Sequence, residues 1–437
     1  MSRPRAHAHV ALSAVLLLGS HAAADAGAFL GDSSRVAALA GAASARPGDA
    51  ASLHTNPAGL ADLTGAELAV LAQLARLEHW FARDGEARED RSRTLGGFGL
   101  AVGARLPGPD WLRQFRFGFA FHTPAEHALR VRAPERLDEP ESPFYDGRPD
   151  KLGALGALAV EVLPSLRVGV GLSVAPTLHA PSDVTYVAGR GSGPEEDVEI
   201  RLERDLRFGL APLVGIRAQP LDALSLALVY RGENASVASG RLRVVAGGIL
   251  ADDPVRFRRL WSPEQFVFGA HARVSSRLSL SADLTWSRFS RMRDGYDRPL
   301  AEPFQDVLSP AAGGELAVVS GFVLRAGYAL EPSPIPEQVG DTNYLGAMTH
   351  VLAVGAGHDF ASSLAVPLRL DLHGRGRIDA RQSARKDPAR LSDADPEAPG
   401  TQVTNLGYPG FESRALLVQL GLTLTVALDA AAWEAAR

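Results

Sequence analysis

Beyond about residue 66, apolar and polar residues alternate with a period of two over unusually long stretches. Leu166, Val168, Val170, Leu172 and Val174 alternate with Arg167, Gly169, Gly171, Ser173 and Ala175. Leu278, Leu280, Ala282, Leu284 and Trp286 do the same against Ser279, Ser281, Asp283 and Thr285. Near the end, Leu416, Val418, Leu420, Leu422, Leu424, Val426 and Leu428 share a face opposite Gln419, Gly421, Thr423 and Thr425. A period of two puts each set on its own face of an extended chain. A common strand has ~5 to 6 residues, whereas a tilted strand crossing a bilayer needs ~9 to 11. These segments therefore read as membrane-crossing strands with the apolar face toward lipid.

Marking every such segment predicts fourteen strands, at 67–83, 94–106, 113–131, 152–163, 166–180, 198–218, 223–245, 265–275, 277–289, 313–320, 322–331, 349–360, 366–383 and 412–428. The connections between them alternate in length. They are long at 84–93, 132–151, 181–197, 246–264, 290–312, 332–348 and 384–411, and short at the six positions between. Antiparallel outer-membrane barrels have an even strand number, short periplasmic turns and longer outer loops, with both chain ends on the periplasmic side. The expected fold is all-β: an antiparallel transmembrane barrel of about fourteen strands, followed by a tail at 429–437.

The first 26 residues have the order of a secretory signal: Arg3 and Arg5, an apolar run at 10–18, then small residues at 22–26. That run is about half the ~20 residues of a spanning helix. Cysteine is absent, which removes disulfide frameworks and thiolate metal sites, and the formal charge of −5 is spread over interspersed acidic and basic residues. No nucleic-acid partner, metal or cofactor is expected. No glycine-rich phosphate loop or His-Glu-x-x-His is present, and the twelve histidines show no ligand spacing.

Between the signal and the strands lies a small-residue segment, 44–60, ending in Asn56-Pro57-Ala58-Gly59-Leu60. Pro57 removes an N–H and Gly59 permits a turn, so the segment suits neither a helix interior nor a central strand. It resembles the N-terminal plug of the FadL family of outer-membrane transporters, which carries an Asn-Pro-Ala motif. A second block, Leu324-Arg325-Ala326-Gly327-Tyr328-Ala329-Leu330 followed by Ser333-Pro334-Ile335-Pro336 and a glycine-rich strand over 349–360, is similar to that family's late strands. The resemblance implies a plug over 27–65 inside a barrel over 66–428. It also implies passage of long-chain fatty acids or other hydrophobic small molecules, bound within the barrel and released sideways into the membrane where the third strand kinks. Here that strand contains Gly118 and Pro124, and Pro124 removes a ladder hydrogen bond. The resemblance makes Phe29 and Leu30 candidates for contact with substrate, with packing inside the plug as the equal alternative, and puts Asn56, Pro57, Ala58 and Gly59 in the plug motif. The implied partners are outer-membrane lipids and the barrel assembly machinery, with the protein a monomer.

Two departures from the family pattern stand out: the chain continues past its last strand, and the connections 181–197 and 246–264 are polar and charged. Charged residues on the polar faces, namely Arg217, Arg273, Asp283, Arg325, Arg369 and Asp371, are expected to pair with one another or with the plug, the alternative being that one of the arginines binds a substrate carboxylate through its guanidinium fork. No enzymatic activity is expected. The alternative is a barrel enzyme acting on lipids through a Ser/His pair drawn from Ser279, Ser281, His271, His358 and His373, or a structural or adhesive barrel that never opens.

Overall fold

A computed structural model of the chain describes residues 32–106, 109, 114–126, 138–146, 152–179, 182–188, 198–202, 205–246, 249–294, 297–361, 367–393 and 403–428. Fourteen strands form one closed antiparallel ring. They are β1 Glu67–Arg83, β2 Arg93–Arg105, β3 Phe115–Pro124, β4 Gly153–Leu163, β5 Leu166–His179, β6 Asp205–Leu221, β7 Leu224–Arg231, β8 Gln265–Arg273, β9 Leu278–Ser287, β10 Val307–Val319, β11 Phe322–Glu331, β12 Thr349–Asp359, β13 Leu368–Asp379 and β14 Gly410–Ala427. Each pairs with its neighbour in sequence, and β1 pairs with β14 from Glu67↔Ala427 to Arg83↔Phe411 to close the ring. Closure leaves no open ladder edge, which a strand in hydrocarbon cannot tolerate.

The two-residue period resolves as expected. Leu74, Phe98, Val354 and Leu420 point outward and are more than half exposed, while Gln73, Gln419 and Thr423 are buried inside. This apolar outer surface on a closed barrel is the surface of a membrane-spanning wall. No helix among the described residues is long and apolar enough to cross a membrane.

The strand count matches the expectation, but several boundaries and two connections differ. The third strand ends at Pro124, not 131, and the tenth begins at Val307, not 313. The expected seventh strand, 223–245, is broken after Arg231. Its second part, Asn234–Ala246, joins Ile249–Ser262, Ser182–Ala188 and Val198–Leu202 in a separate four-stranded sheet, so the expected sixth strand, 198–218, also loses its beginning to that sheet and enters the ring only from Asp205. The connections 181–197 and 246–264 thus contain strands. Their polar composition fits a sheet beyond the lipid, where neither face needs a long apolar run.

Residues 32–65 form a short helix α1, Ser34–Ala38, and 3-10 turns at Ala50–Ser52 and Pro57–Asp62. Helix α1 packs on β11–β14, the first turn on β1–β3 and the second on β3–β6. Side chains of β7–β10 complete the circle through Arg231, His271, Asp283 and Glu315. A segment touched by every strand of a closed ring lies within that ring.

The long-connection end is filled differently. Phe144, Tyr145, Trp261, Phe289, Phe304 and Tyr344, all from irregular connections or the four-stranded sheet, pack with Leu77, Leu95 and Leu417 of the wall into one buried aromatic core. Phe144 meets Phe289 edge-on at 6.0 Å, and Phe304 meets Tyr344 at 5.1 Å. Edge-to-face pairs of this kind add about 0.5–1.5 kcal/mol each beyond area burial.

Candidate functional site

Between the inner segment and the base of the four-stranded sheet lies a cavity of about 110 Å³. Leu71, Ala101, Ala120, Leu155, Ala211 and Leu213 supply most of its wall, and Ala51 and His54 its floor. Polar groups are few, namely Arg231, Gln265, His122, Ser173, Asn234 and Ser262 with the floor's His54, and no acidic side chain lines it. Concave, mostly apolar surface with a few convergent polar groups is the usual form of a small-molecule site. Arg231 ties the site to the inner segment, donating to the His54 and Thr55 carbonyls at 3.3 and 3.1 Å and to Gln265 Oε1 at 3.2 Å.

The cavity meets the wall where β3 and β4 part. Their ladder runs from Phe115↔Val160 to His122↔Gly153 and stops, while β3 continues to pair with β2 as far as Gly97↔Pro124. Phe121, His122, Gly153 and Ala154 all line the cavity. A Cβ on Gly153 would lie 2.1 Å from His122 Cε1, so the imidazole rests directly on the last rung. Pro124 is buried two residues beyond it. Gly118 lies within the paired part of β3, where a Cβ would stand 2.7 Å from Leu60 Cδ2, so this glycine admits the inner segment.

The motif at 56–59 is built into the wall. Asn56 caps the turn Pro57–Asp62: its Oδ1 accepts from the Ala58 N–H at 3.0 Å, and its Nδ2 donates to the Ser44 carbonyl at 2.8 Å. Side-chain acceptors at such caps satisfy backbone donors that the turn itself leaves open. Added Cβ atoms would reach to 2.0 Å from Asn56 Oδ1 at Gly215, 2.4 Å from the Pro57 carbonyl carbon at Gly169, and 2.1 Å from Pro47 Cγ at Gly59. Phe29 and Leu30 lie outside the described residues.

The interior charges are paired, as expected. Arg35 of the inner segment forks onto Glu315 at 3.0 and 2.9 Å. Arg325 bridges Glu315 and Asp371 at 2.9 and 2.7 Å, and Arg369 bridges Asp371 and Asp49. Three guanidiniums and three carboxylates thus alternate between segment and wall. Arg217 and Arg167 share Asp62. Asp283 accepts from the Ala43 and Ser44 N–H groups and from the Ser44 hydroxyl. Arg273 differs from the expectation, lying exposed at the very end of β8 with Nη2 on the Asp222 carbonyl.

Two Ser/His pairs are within reach among the described residues: His373 Nδ1 to Ser34 Oγ of the inner segment at 3.0 Å, and, within the expected set, His271 Nδ1 to Ser281 Oγ at 2.9 Å, whose polarity is wrong for activating a nucleophile. Nε2 faces Arg46 Nη1 at 3.0 Å, and a guanidinium only donates, so Nε2 accepts and the proton sits on Nδ1. The ring then donates to Ser281 instead of taking its proton.

Sequence reasoning missed Arg231, His122, Gly153 and the aromatic core. The cavity draws one or two small residues from each of several strands, and no linear spacing records that.

No family model and no curated protein sequence matches the chain. Solved structures do. A FadL homologue of Pseudomonas aeruginosa aligns over 94% of this chain and 100% of its own, with TM-score 0.62 and 15% identity. The Pseudomonas putida toluene transporter TodX aligns over 91% and 99%, with TM-score 0.55 and 14% identity. The Ralstonia pickettii toluene transporter TbuX aligns over 90% and 98%, with TM-score 0.51 and 14% identity. The fourteen-stranded ring described above therefore has the fold of the FadL-type barrels.

Proposed function

We propose that this chain is an outer-membrane conduit for hydrophobic small molecules. They bind in the apolar cavity beside β3 and leave sideways into the bilayer where the β3–β4 ladder stops. The observation that carries this reading is the cavity's position: it is lined by the His122↔Gly153 rung, so an apolar ligand is already beside the end of the ladder at which β3 runs on with β2 and no longer with β4. Residues 27–65 act as the plug and residues 66–428 as the barrel, after removal of a signal over 1–26. Because the inner segment and the aromatic core obstruct the barrel along its axis, passage straight through is disfavoured. The solved relatives described as toluene transporters and a FadL homologue support hydrophobic cargo. No step of bond chemistry is assigned, consistent with the reversed polarity of the His271–Ser281 pair.

The test is uptake. Cells with and without the gene are given a radiolabelled long-chain fatty acid or toluene, and rates are compared at equal outer-membrane integrity. Faster accumulation in cells carrying the protein is expected. Equal rates for both probes would remove the transport reading and leave a structural barrel.

A further inference from the structure

We propose that residues 138–146, within the connection from β3 to β4, are a strap that holds the β3–β4 seam closed from the barrel mouth, so that freeing Tyr145 and opening the seam are one event. This deepens the sideways-release reading and rests on it for its role in transport.

The strap is fastened to connections that belong to other strands. The Asp138 carbonyl accepts from Asn343 Nδ2 at 2.6 Å, and its carboxylate accepts from the Leu406 N–H at 2.8 Å. Glu141 forms a parallel bridge with Tyr344, donating to the Asn343 carbonyl at 3.1 Å and accepting from the Leu345 N–H at 2.8 Å. Arg91 Nη1 donates to the Pro140 carbonyl at 2.8 Å. Phe144 sits on Gly346, where a Cβ would come 2.7 Å from its ring. The Tyr145 hydroxyl donates to Asp379 Oδ1 at 2.8 Å, with the Thr349 hydroxyl on the same oxygen at 2.7 Å. Burial, reinforced by Asp379, raises the Tyr145 pKa well above its ordinary value, so the hydroxyl remains a donor.

The two arms of the connection differ in length. Thirteen residues separate Pro124 from Asp138, but only six separate Asp146 from Gly153. Seven residue steps span at most ~25 Å, so the seat of Tyr145 limits where β4 can begin. Gly153 is both the first residue of β4 and the last rung of the ladder with β3. A seated strap therefore restrains that rung, and an unseated one releases β4 rather than β3.

Two measurements test this. Hydrogen exchange on purified protein in detergent compares wild type with Tyr145→Ala and Tyr145→Phe. In Tyr145→Ala, exchange at 119–122 and 153–156 should quicken at least tenfold while 278–287 is unchanged, and Tyr145→Phe should fall between the two. Faster exchange confined to the neighbourhood of residue 145, with the seam at its wild-type rate, would overturn the strap even if transport is never observed. The second measurement uses Glu141→Cys with Tyr344→Cys, bridge partners in a chain with no cysteine of its own. With the disulfide formed, uptake should drop to the level of cells lacking the protein and recover on reduction. Uptake by the oxidised form at the reduced form's rate overturns the strap and leaves the conduit standing. Absent uptake in wild type overturns the conduit, and the exchange data still decide the strap.

Discussion

Asn56→Ala should loosen the inner segment while leaving the wall intact. Asn56 is fully buried and makes two well-formed hydrogen bonds, one capping Ala58 and one to the Ser44 carbonyl, with a third, long contact to the Ile216 carbonyl at 3.5 Å. Losing a cap costs about 1 kcal/mol. Leaving the Ser44 carbonyl without its donor costs about 1–3 kcal/mol more. A sum of roughly 2–4 kcal/mol raises the population with the segment displaced by roughly thirtyfold to a thousandfold, at 1.4 kcal/mol per tenfold. Asn56→Ser keeps a capping oxygen and lacks the amide donor, so it should lie between wild type and Asn56→Ala. Heat-modifiable migration on gels should be the same for all three, since the wall's bonds run strand to strand. Single-channel recording in planar bilayers then reads the displaced state as ion conductance, with the order Ala above Ser above wild type. Equal conductance in the three proteins would refute the assignment of Asn56 as the latch, and Ser equal to Ala would show that the cap contributes nothing.

Other outcomes follow from the same geometry. Pro124→Val restores a backbone donor beyond the last β3–β4 rung and should lower uptake of a labelled hydrophobic compound several-fold without loss of folded protein; an unchanged rate would reduce Pro124 to a strand terminus. Glu315→Gln leaves Arg35 and Arg325 short of a buried carboxylate and should destabilise the seat of helix α1 by about 3–5 kcal/mol. Faster hydrogen exchange at 34–38 would register that loss, and wild-type exchange there would contradict it. Trypsin added to intact cells should cut at exposed Arg291 on a long connection and spare exposed Arg277 in the turn between β8 and β9 until the outer membrane is opened. Early cleavage at Arg277 would invert the orientation.

The wall was legible in the sequence because lipid and lumen impose opposite demands on alternate residues, as the pattern of Leu416 to Leu428 records almost without interruption. Asn56 was legible because Asn-Pro cannot continue regular structure. The four-stranded sheet was hidden as a separate sheet, with Val198–Leu202 and Asn234–Ala246 read as parts of wall strands, because strands outside the membrane, such as Ile249–Ser262 with its Arg256, Arg258 and Arg259, carry no comparable constraint. The aromatic core was hidden for another reason. Phe144, Phe289 and Tyr344 lie about 145 and 55 residues apart in irregular connections, and only the closing of the ring brings them together.

Ring closure also bears on how the molecule is made. The inner segment runs directly into β1, and β1 is the strand that β14 must find to complete the circle. Those two strands are joined along seventeen consecutive rungs, from Glu67 to Arg83, and until they meet the sheet is an open trough. The dents at Gly169, Gly215, Gly313 and Gly327 fit Pro57, Asn56 and Leu39, so the trough is moulded to a guest that cannot easily be threaded in once the last seam has zipped. Biogenesis must therefore wrap the wall around a segment synthesised before it, and the final strand to leave the ribosome is the one that seals residues 32–65 inside.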